Sequence, residues 1–354
     1  LIHAAGIASI KQGFKPAFTG AQKEDCRVTL EYPGSDIPER YELVYRSDAF
    51  DPIEEIFGVV QEFAEFFVDE ADRDVFLNPD RGIYRRLERA RNLKSLEAFE
   101  TALNDYNEAV RVRRKAGTPQ AILRKKHSLP ESLIIRIMTQ TYDRAVSPNV
   151  DLLRKYENGT NEIYGELKSN LVHKILVESK LDSKQVFVDL GSGVANVVLQ
   201  AALQTGCESW GCEIMENACS LAEAQKKEFR ARCRLWGIEP GNAYLEHGDF
   251  MANENIRKAL LKADVVLVNN EVFTPTLNVS LVNLFLDLKE GCQIVSLKSF
   301  VPHNRKITNY NTNDPSNILR VERKTYSTKS VSWKDEGGEY FVATKDSARL
   351  KMYE

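Results

Sequence analysis

The spacing of apolar positions changes character once along this chain, near residue 147. Before it, helical spacing dominates. From Asp51 to Glu70, the residues Ile53, Ile56, Phe57, Val60, Phe63 and Phe67 recur at intervals of three and four, with Asp51-Pro52 placed as cap and first helical position. Arg81 to Lys115 reads as one long helix, interrupted by Gly117-Thr-Pro119, and Pro130 starts another that runs to about Arg144. Residues 1 to about 50 suggest a small irregular or β-containing segment with turns at Pro33-Gly34 and Ile37-Pro38. Ser147-Pro148 marks the expected boundary, giving a mostly helical N-terminal domain over 1–147 and a second domain over 148–354.

Beyond the boundary, short apolar runs alternate with amphipathic segments. Strands are predicted near 186–190, 208–213, 243–247, 264–269 and 292–297, with helices between them, including Glu216 to Leu235. That alternation calls for a parallel sheet covered on both faces. The last stretch differs: Arg320 to Tyr326 and Ser330 to Thr344 alternate like antiparallel strands, with Gly337-Gly338 as the hairpin turn. A parallel sheet closed by an antiparallel hairpin is the order expected of an α/β, Rossmann-like seven-stranded sheet of class I S-adenosylmethionine-dependent methyltransferases.

Candidate chemistry concentrates at the carboxyl ends of these strands, where open parallel sheets bind ligands. Asp189-Leu-Gly-Ser-Gly-Val-Ala-Asn196 follows Val186-Phe187-Val188 and opens onto a predicted helix, Val197 to Thr205. Glycines at 191 and 193 allow a sharp turn and a ligand lying against bare main chain. A carboxylate at 189 would repel a pyrophosphate but suits the sulfonium and amino-acid end of S-adenosylmethionine. Glu213 ends the second strand, 24 residues after Asp189, near the interval at which an acid reaches ribose hydroxyls; the plainer reading is an acid favoured at a helix N-terminus. Asp249-Phe250 suits an adenine, or else forms a cap and a core ring. Asn269-Asn270 follows the fourth strand and is placed beside the reacting centre. Phe273, Trp333 and Tyr340 are candidate walls of an apolar channel for an amine acceptor, although lone aromatics in strands more often fill cores.

Composition narrows the setting. The chain has 354 residues, 43% hydrophobic, with a net charge of −3, enough for two domains. Six cysteines form no Cys-x-x-Cys pair and no histidine stands at zinc spacing, so no metal site is expected. Free buried thiols suggest a reducing compartment, cytosol or nucleus. No apolar run is long enough for a membrane span and no signal peptide is apparent. The chain begins with Leu1, as expected of part of a longer protein, and the sequons at Asn158 and Asn278 read as chance matches. Between Arg81 and Lys126 there are thirteen Lys or Arg against five acids, a net of +8. That run is either a solvated face or a contact for a polyanion backbone.

Four segments carry a family resemblance: Tyr164-Gly-Glu166-Leu, Val188-Asp-Leu-Gly-Ser-Gly-Val, Val268-Asn-Asn270 and Ser330-Val-Ser-Trp333. In this order, from about Asn149 to Thr344, they resemble the disruptor of telomeric silencing family, the non-SET methyltransferases of lysine seventy-nine of histone H3. The preceding helical region resembles a fungal member more loosely. The resemblance implies a nuclear histone-lysine N-methyltransferase of chromatin regulation and telomeric silencing, with S-adenosylmethionine as cofactor. Tyr164, Gly165, Glu166 and Leu167 would close over the cofactor's methionine end. Asp189, Gly191, Ser192, Gly193 and Asn196 would form the main loop, with Phe187 on the strand beneath it, Glu213 at the ribose, and Asp249 and Phe250 at the adenine. Asn269 would lie near the transferred methyl, with Phe273, Trp333 and Tyr340 bordering the lysine channel. The implied partner is the nucleosome, with DNA for the basic stretch 81–126 and stimulation by ubiquitin on histone H2B.

Two departures stand out, because the family commonly has glycine in place of Ala195 and phenylalanine in place of Glu271. Ala195 would either crowd the cofactor's approach or be accepted if φ is negative there. The competing readings are a catalytically silent nucleosome-binding module and a class I methyltransferase for another amine.

Overall fold

A computed structural model describes residues 1–18, 26–154, 165–302, 305–308 and 310–352. They fall into two compact units, Leu1–Pro148 with Lys227–Glu239, and Asn149–Lys226 with Pro240–Glu354. A single cut at 147/148 therefore leaves out 227–239, which pack with the first unit.

The first unit opens with two small antiparallel sheets. In one, β1 (Lys15–Pro16) pairs with β4 (Val44–Tyr45); in the other, β2 (Arg27–Tyr32) pairs with β3 (Ser35–Glu42). The β2–β3 turn is at Pro33-Gly34, whereas Ile37-Pro38 lies inside β3 rather than in a turn. Helices follow: α1 (Pro52–Phe66), α2 (Arg73–Leu77), α3 (Ile83–Asn92), α4 (Leu96–Lys115), α5 (Thr118–Arg124) and α6 (Glu131–Ala145). Asp51 caps α1 by accepting from the Ile53 and Glu54 amides, with Pro52 in the first turn. The single helix predicted over Arg81 to Lys115 is two. Lys94 adopts a left-handed φ of 55°, and Ser95 then caps α4 by accepting from the Ala98 amide.

Phe63, Phe76 and Tyr106 pack edge to face at the centre of this unit, with ring centroids 5.4–6.3 Å apart. A buried ionic cluster accompanies them. Glu39 accepts from Arg144 and Arg232, Arg144 also holds Glu55, and Arg232 also holds Glu228 at 2.7 Å. Burial alone would raise the Glu39 carboxyl, but the two guanidiniums override it and hold it at about 2.

The second unit is organised around one sheet. Its elements are α7 (Ser169–Glu178), β5 (Val186–Leu190), α8 (Asn196–Thr205), β6 (Glu208–Glu213), α9 (Glu216–Trp236, whose end belongs to the first unit), β7 (Ala243–His247), α10 (Glu254–Leu260), β8 (Val265–Val268), α11 (Pro275–Leu284), β9 (Gln293–Ser296), β10 (Leu319–Tyr326) and β11 (Gly338–Lys345). The strand order is β7-β6-β5-β8-β9-β11-β10. The five strands from β7 to β9 are parallel, and β11 runs antiparallel to both its neighbours. This is the seven-stranded sheet, parallel strands closed by an antiparallel hairpin, expected from the sequence.

The closing hairpin differs in detail. Tyr326 pairs with Gly338, so Gly338 begins β11, and residues 327–337 form a long connection instead of a two-glycine turn. Val331, predicted within a strand, makes only an isolated bridge to Leu167. Both sheet faces are buried: Val188, Leu190, Val266 and Ile294 face one apolar cluster, while Phe187, Val265, Leu267 and Val295 face the other. The strand order reverses between β5 and β8, which opens a crevice at their carboxyl ends.

Candidate active site

The β5–α8 loop turns through two left-handed glycines, Gly191 (φ 89°) and Gly193 (φ 54°). The Gly191 and Ser192 amides both donate to the Cys212 carbonyl at 2.9 Å, tying the loop to β6. Gly211 makes that approach possible, since a Cβ there would stand 2.7 Å from Val198 and 2.8 Å from Ser192 Oγ. Its signal, a glycine inside a strand, is present in the sequence.

Ala195 also sits in the left-handed region, at φ 71°, so the condition of a negative φ is not met. It is fully buried and does not line the cleft. Its methyl therefore leaves the cofactor's approach clear, and the cost is conformational, about 1–2 kcal/mol.

Asp189, next to last in β5, is nearly fully buried, and its Oδ1 has no hydrogen-bond partner among the described residues. Burial, and then the Glu213 charge, push its carboxyl well above the usual range. Glu213 is held rigidly: Oε2 accepts from the Gly193 amide at 2.8 Å, and Oε1 accepts from the Ile214 and Met215 amides at 2.9 Å. Asp249 is exposed beyond β7 and accepts from the Met251 amide at 2.8 Å. Phe250 stacks against Phe273, ring centroids 6.2 Å apart and planes inclined by 27°.

Two segments distant in sequence meet across the cleft. Glu166 N donates to Ser332 Oγ at 2.8 Å, Ser332 N to the Glu166 carbonyl at 2.9 Å, and Lys168 N to the Ser330 carbonyl at 2.9 Å. Trp333 lies on the bare face of Gly165, where a Cβ would stand 2.7 Å from the indole. Asn269 Nδ2 donates to the Gly165 carbonyl at 3.1 Å, joining this ladder to the end of β8.

These residues enclose a cleft of about 620 Å³. Its lining brings together Gly165, Glu166, Leu167, Asp189, Gly191, Ser192, Gly193, Asn196, Glu213, Asp249, Phe250, Asn269, Phe273 and Trp333, each singled out in the sequence. Glu271 lines it as well. Tyr164 lies outside the described residues, as does the sequon at Asn158.

Two expectations are corrected. Phe187, the second residue of β5, is fully buried in the apolar core away from the strand's carboxyl end and does not line the cleft. Tyr340 faces α7 in the same core and donates to Glu178 Oε2 at 2.6 Å, so it does not border the channel. Asn270 is also structural. Fully buried, it accepts from the Leu297 and Lys298 amides and donates to the Lys298 carbonyl, clamping β8 to β9. Val194, Ile214, Met215, Met251, Val272 and Leu277 also line the cleft; those in loops carry no periodic signal that would mark them.

The charge of this cleft is one-sided. Glu166, Asp189, Glu213, Asp249 and Glu271 line it, and among the described residues no Lys, Arg or His does. Such walls favour cationic guests and disfavour phosphates. The unpartnered Asp189 oxygen and the apolar side chains around it fit a sulfonium-bearing amino acid joined to a nucleoside.

Residues 142–345 match the family described as histone methylation protein DOT1. Among curated proteins, "Histone-lysine N-methyltransferase, H3 lysine-79 specific" of Emericella nidulans is 50% identical over 357 residues, covering 100% of this chain and 71% of the relative. Its namesake in Gibberella zeae is 52% identical over 348 residues, covering 97% and 70%. That of Yarrowia lipolytica is 39% identical over 353 residues, covering 99% and 72%. A more distant similarity is to a solved RNA methyltransferase of Salinibacter ruber in complex with S-adenosyl-L-homocysteine, 20% identical with a TM-score of 0.34 over 50% of this chain and 92% of that one. By the extent of these matches, the chain belongs to the DOT1 family of histone methylation proteins.

Proposed function

We propose that this chain is a histone-lysine N-methyltransferase that uses S-adenosylmethionine to methylate lysine seventy-nine of histone H3 in nucleosomes. The single observation that carries the chemistry is the cleft at the carboxyl ends of β5, β6, β7 and β8, with five acidic side chains and, among the described residues, no cationic one. Family membership supports the substrate.

In this reading Asp189 holds the donor's ammonium, Glu213 the ribose hydroxyls, and Asp249 with Phe250 the adenine. Gly165 to Leu167, pinned by Ser330 to Trp333, cover the methionine end. When bound, S-adenosylmethionine supplies an electrophilic methyl on a positively charged sulfur. Asn269 and Phe273 border the point at which an amine arrives, and Trp333 excludes water there, which favours a neutral, desolvated amine over an ammonium.

Nucleosomal DNA is the proposed partner of part of the basic stretch. Arg91, Arg111, Arg113 and Arg114 are already paired with Glu54, Glu31 and Glu108, Asp72, and Glu31 and Asp36. Lys115, Arg124 and Lys125 are exposed and have no ion pair among the described residues. Reversing these three charges is expected to weaken nucleosome binding and lower its salt slope by roughly one per lost phosphate contact. An unchanged slope would return them to the solvent. A nuclear location and stimulation by ubiquitin on histone H2B belong to the same proposal.

The test is labelled S-adenosylmethionine offered in parallel to nucleosomes, free histone H3 and naked DNA. Label is expected on histone H3 of the nucleosomes. Label on DNA, or on none of the three, would overturn the reading.

A further inference from the structure

Behind the cleft, outside its lining, stands one buried amide whose contacts decide what the cleft presents. Gln225, midway along α9, is fully buried. Its Nε2 donates to the Val194 carbonyl at 2.6 Å and to Asn196 Oδ1 at 2.8 Å, while its Oε1 has no partner among the described residues. A backbone carbonyl can only accept, so the orientation of the Gln225 amide follows from the Val194 contact. The Asn196 atom facing the same nitrogen must then be its oxygen. Asn196 Nδ2 is left without a partner among the described residues, on a side chain that lines the cleft at the first residue of α8. Between the two anchor points lies Ala195, held at φ 71°.

We propose that Gln225 is a positioning residue for the donor's amino-acid end. It fastens the loop on both sides of a strained alanine and turns Asn196 so that an N–H donor, beside the positive end of α8, faces a carboxylate. Asp189 supplies the complementary acid for the ammonium, so the cleft carries both poles that a zwitterion requires. This rests on the reading of the cleft as an S-adenosylmethionine site.

Gln225→Glu inverts the device. A carboxylate is repelled by the Val194 carbonyl and draws Asn196 Nδ2 toward itself, which turns Oδ1 to the cleft. Gln225→Met keeps the length but removes both bonds and leaves Asn196 free to rotate. Calorimetry on the full chain would compare S-adenosylmethionine with 5′-methylthioadenosine, which lacks the amino-acid end. Gln225→Glu is expected to weaken S-adenosylmethionine binding by about tenfold or more and Gln225→Met by about threefold, with 5′-methylthioadenosine changed less than about twofold in either. Equal losses for both probes would make Gln225 a packing residue and overturn the proposal, as would undiminished S-adenosylmethionine affinity. Should Gln225→Glu fail to unfold cooperatively, the Gln225→Met comparison decides. A parent protein that binds neither probe would instead overturn the reading of the cleft.

Discussion

Asp189 shows how one side chain can couple binding to protons. Its carboxyl is pushed well above the usual range in the folded protein by burial and by Glu213. The folded state therefore holds that proton more tightly than the unfolded chain, and stability from this group is lost as pH rises from the ordinary carboxylate value toward the raised one. A cationic guest needs the ionised form. Affinity for S-adenosylmethionine is expected to rise about tenfold per pH unit below the raised value and to level off above it. Calorimetric titration over a pH series checks this, and Asp189→Asn is expected to bind more weakly and to lose the slope. A sloping profile in that variant would mean that another group titrates. The acid was legible in the sequence because of its place before Gly191. Its missing partner was not, since burial belongs to the sheet on either side. Phe187 and Tyr340 failed as site residues because of where they lie in the core: Phe187 shares a face with Asp189 but stands two residues before it, away from the carboxyl end of β5, and Tyr340 turns its hydroxyl to Glu178 on α7.

Among the elements, the strands were the most readable, because continuous apolar runs are what a doubly covered parallel sheet requires. The break at Lys94 was hidden because helical periodicity continues on both sides of a one-residue change of φ. The pairing of 165–168 with 330–333 was hidden too, since each segment alone resembles a turn and the ladder forms only between them. Its tightest point gives a direct check. Gly165→Ala would place a methyl 2.7 Å from the Trp333 ring, too close for real carbon contacts, so the indole must move. The expected result is a shift in tryptophan emission and a loss of S-adenosylmethionine affinity of about tenfold, with unfolding temperature little changed. Retained affinity would show that this ladder is not part of the binding wall.

At the scale of the molecule, the first unit depends on its buried charge network. Glu39 is held at about 2 by Arg232 and Arg144, so its contribution to stability is present above about 4.5 and is lost as pH falls toward 2. Arg232→Met leaves Glu39 with one fewer guanidinium, and a loss of about 3–5 kcal/mol is expected by denaturant unfolding. A loss below about 1 kcal/mol would mean that the cluster is not stabilising as described.

The cleft and the substrate remain the centre of the account. They are tested most directly by incubating this chain and S-adenosylmethionine with nucleosomes carrying either natural histone H3 or H3 with arginine in place of lysine seventy-nine, then mapping modified peptides by mass spectrometry. The expected outcome is added methyl groups on that one lysine in the natural nucleosome and none on the arginine-bearing one. Equal methylation of both nucleosomes would contradict the assignment, and so would a methyl group found only at another site.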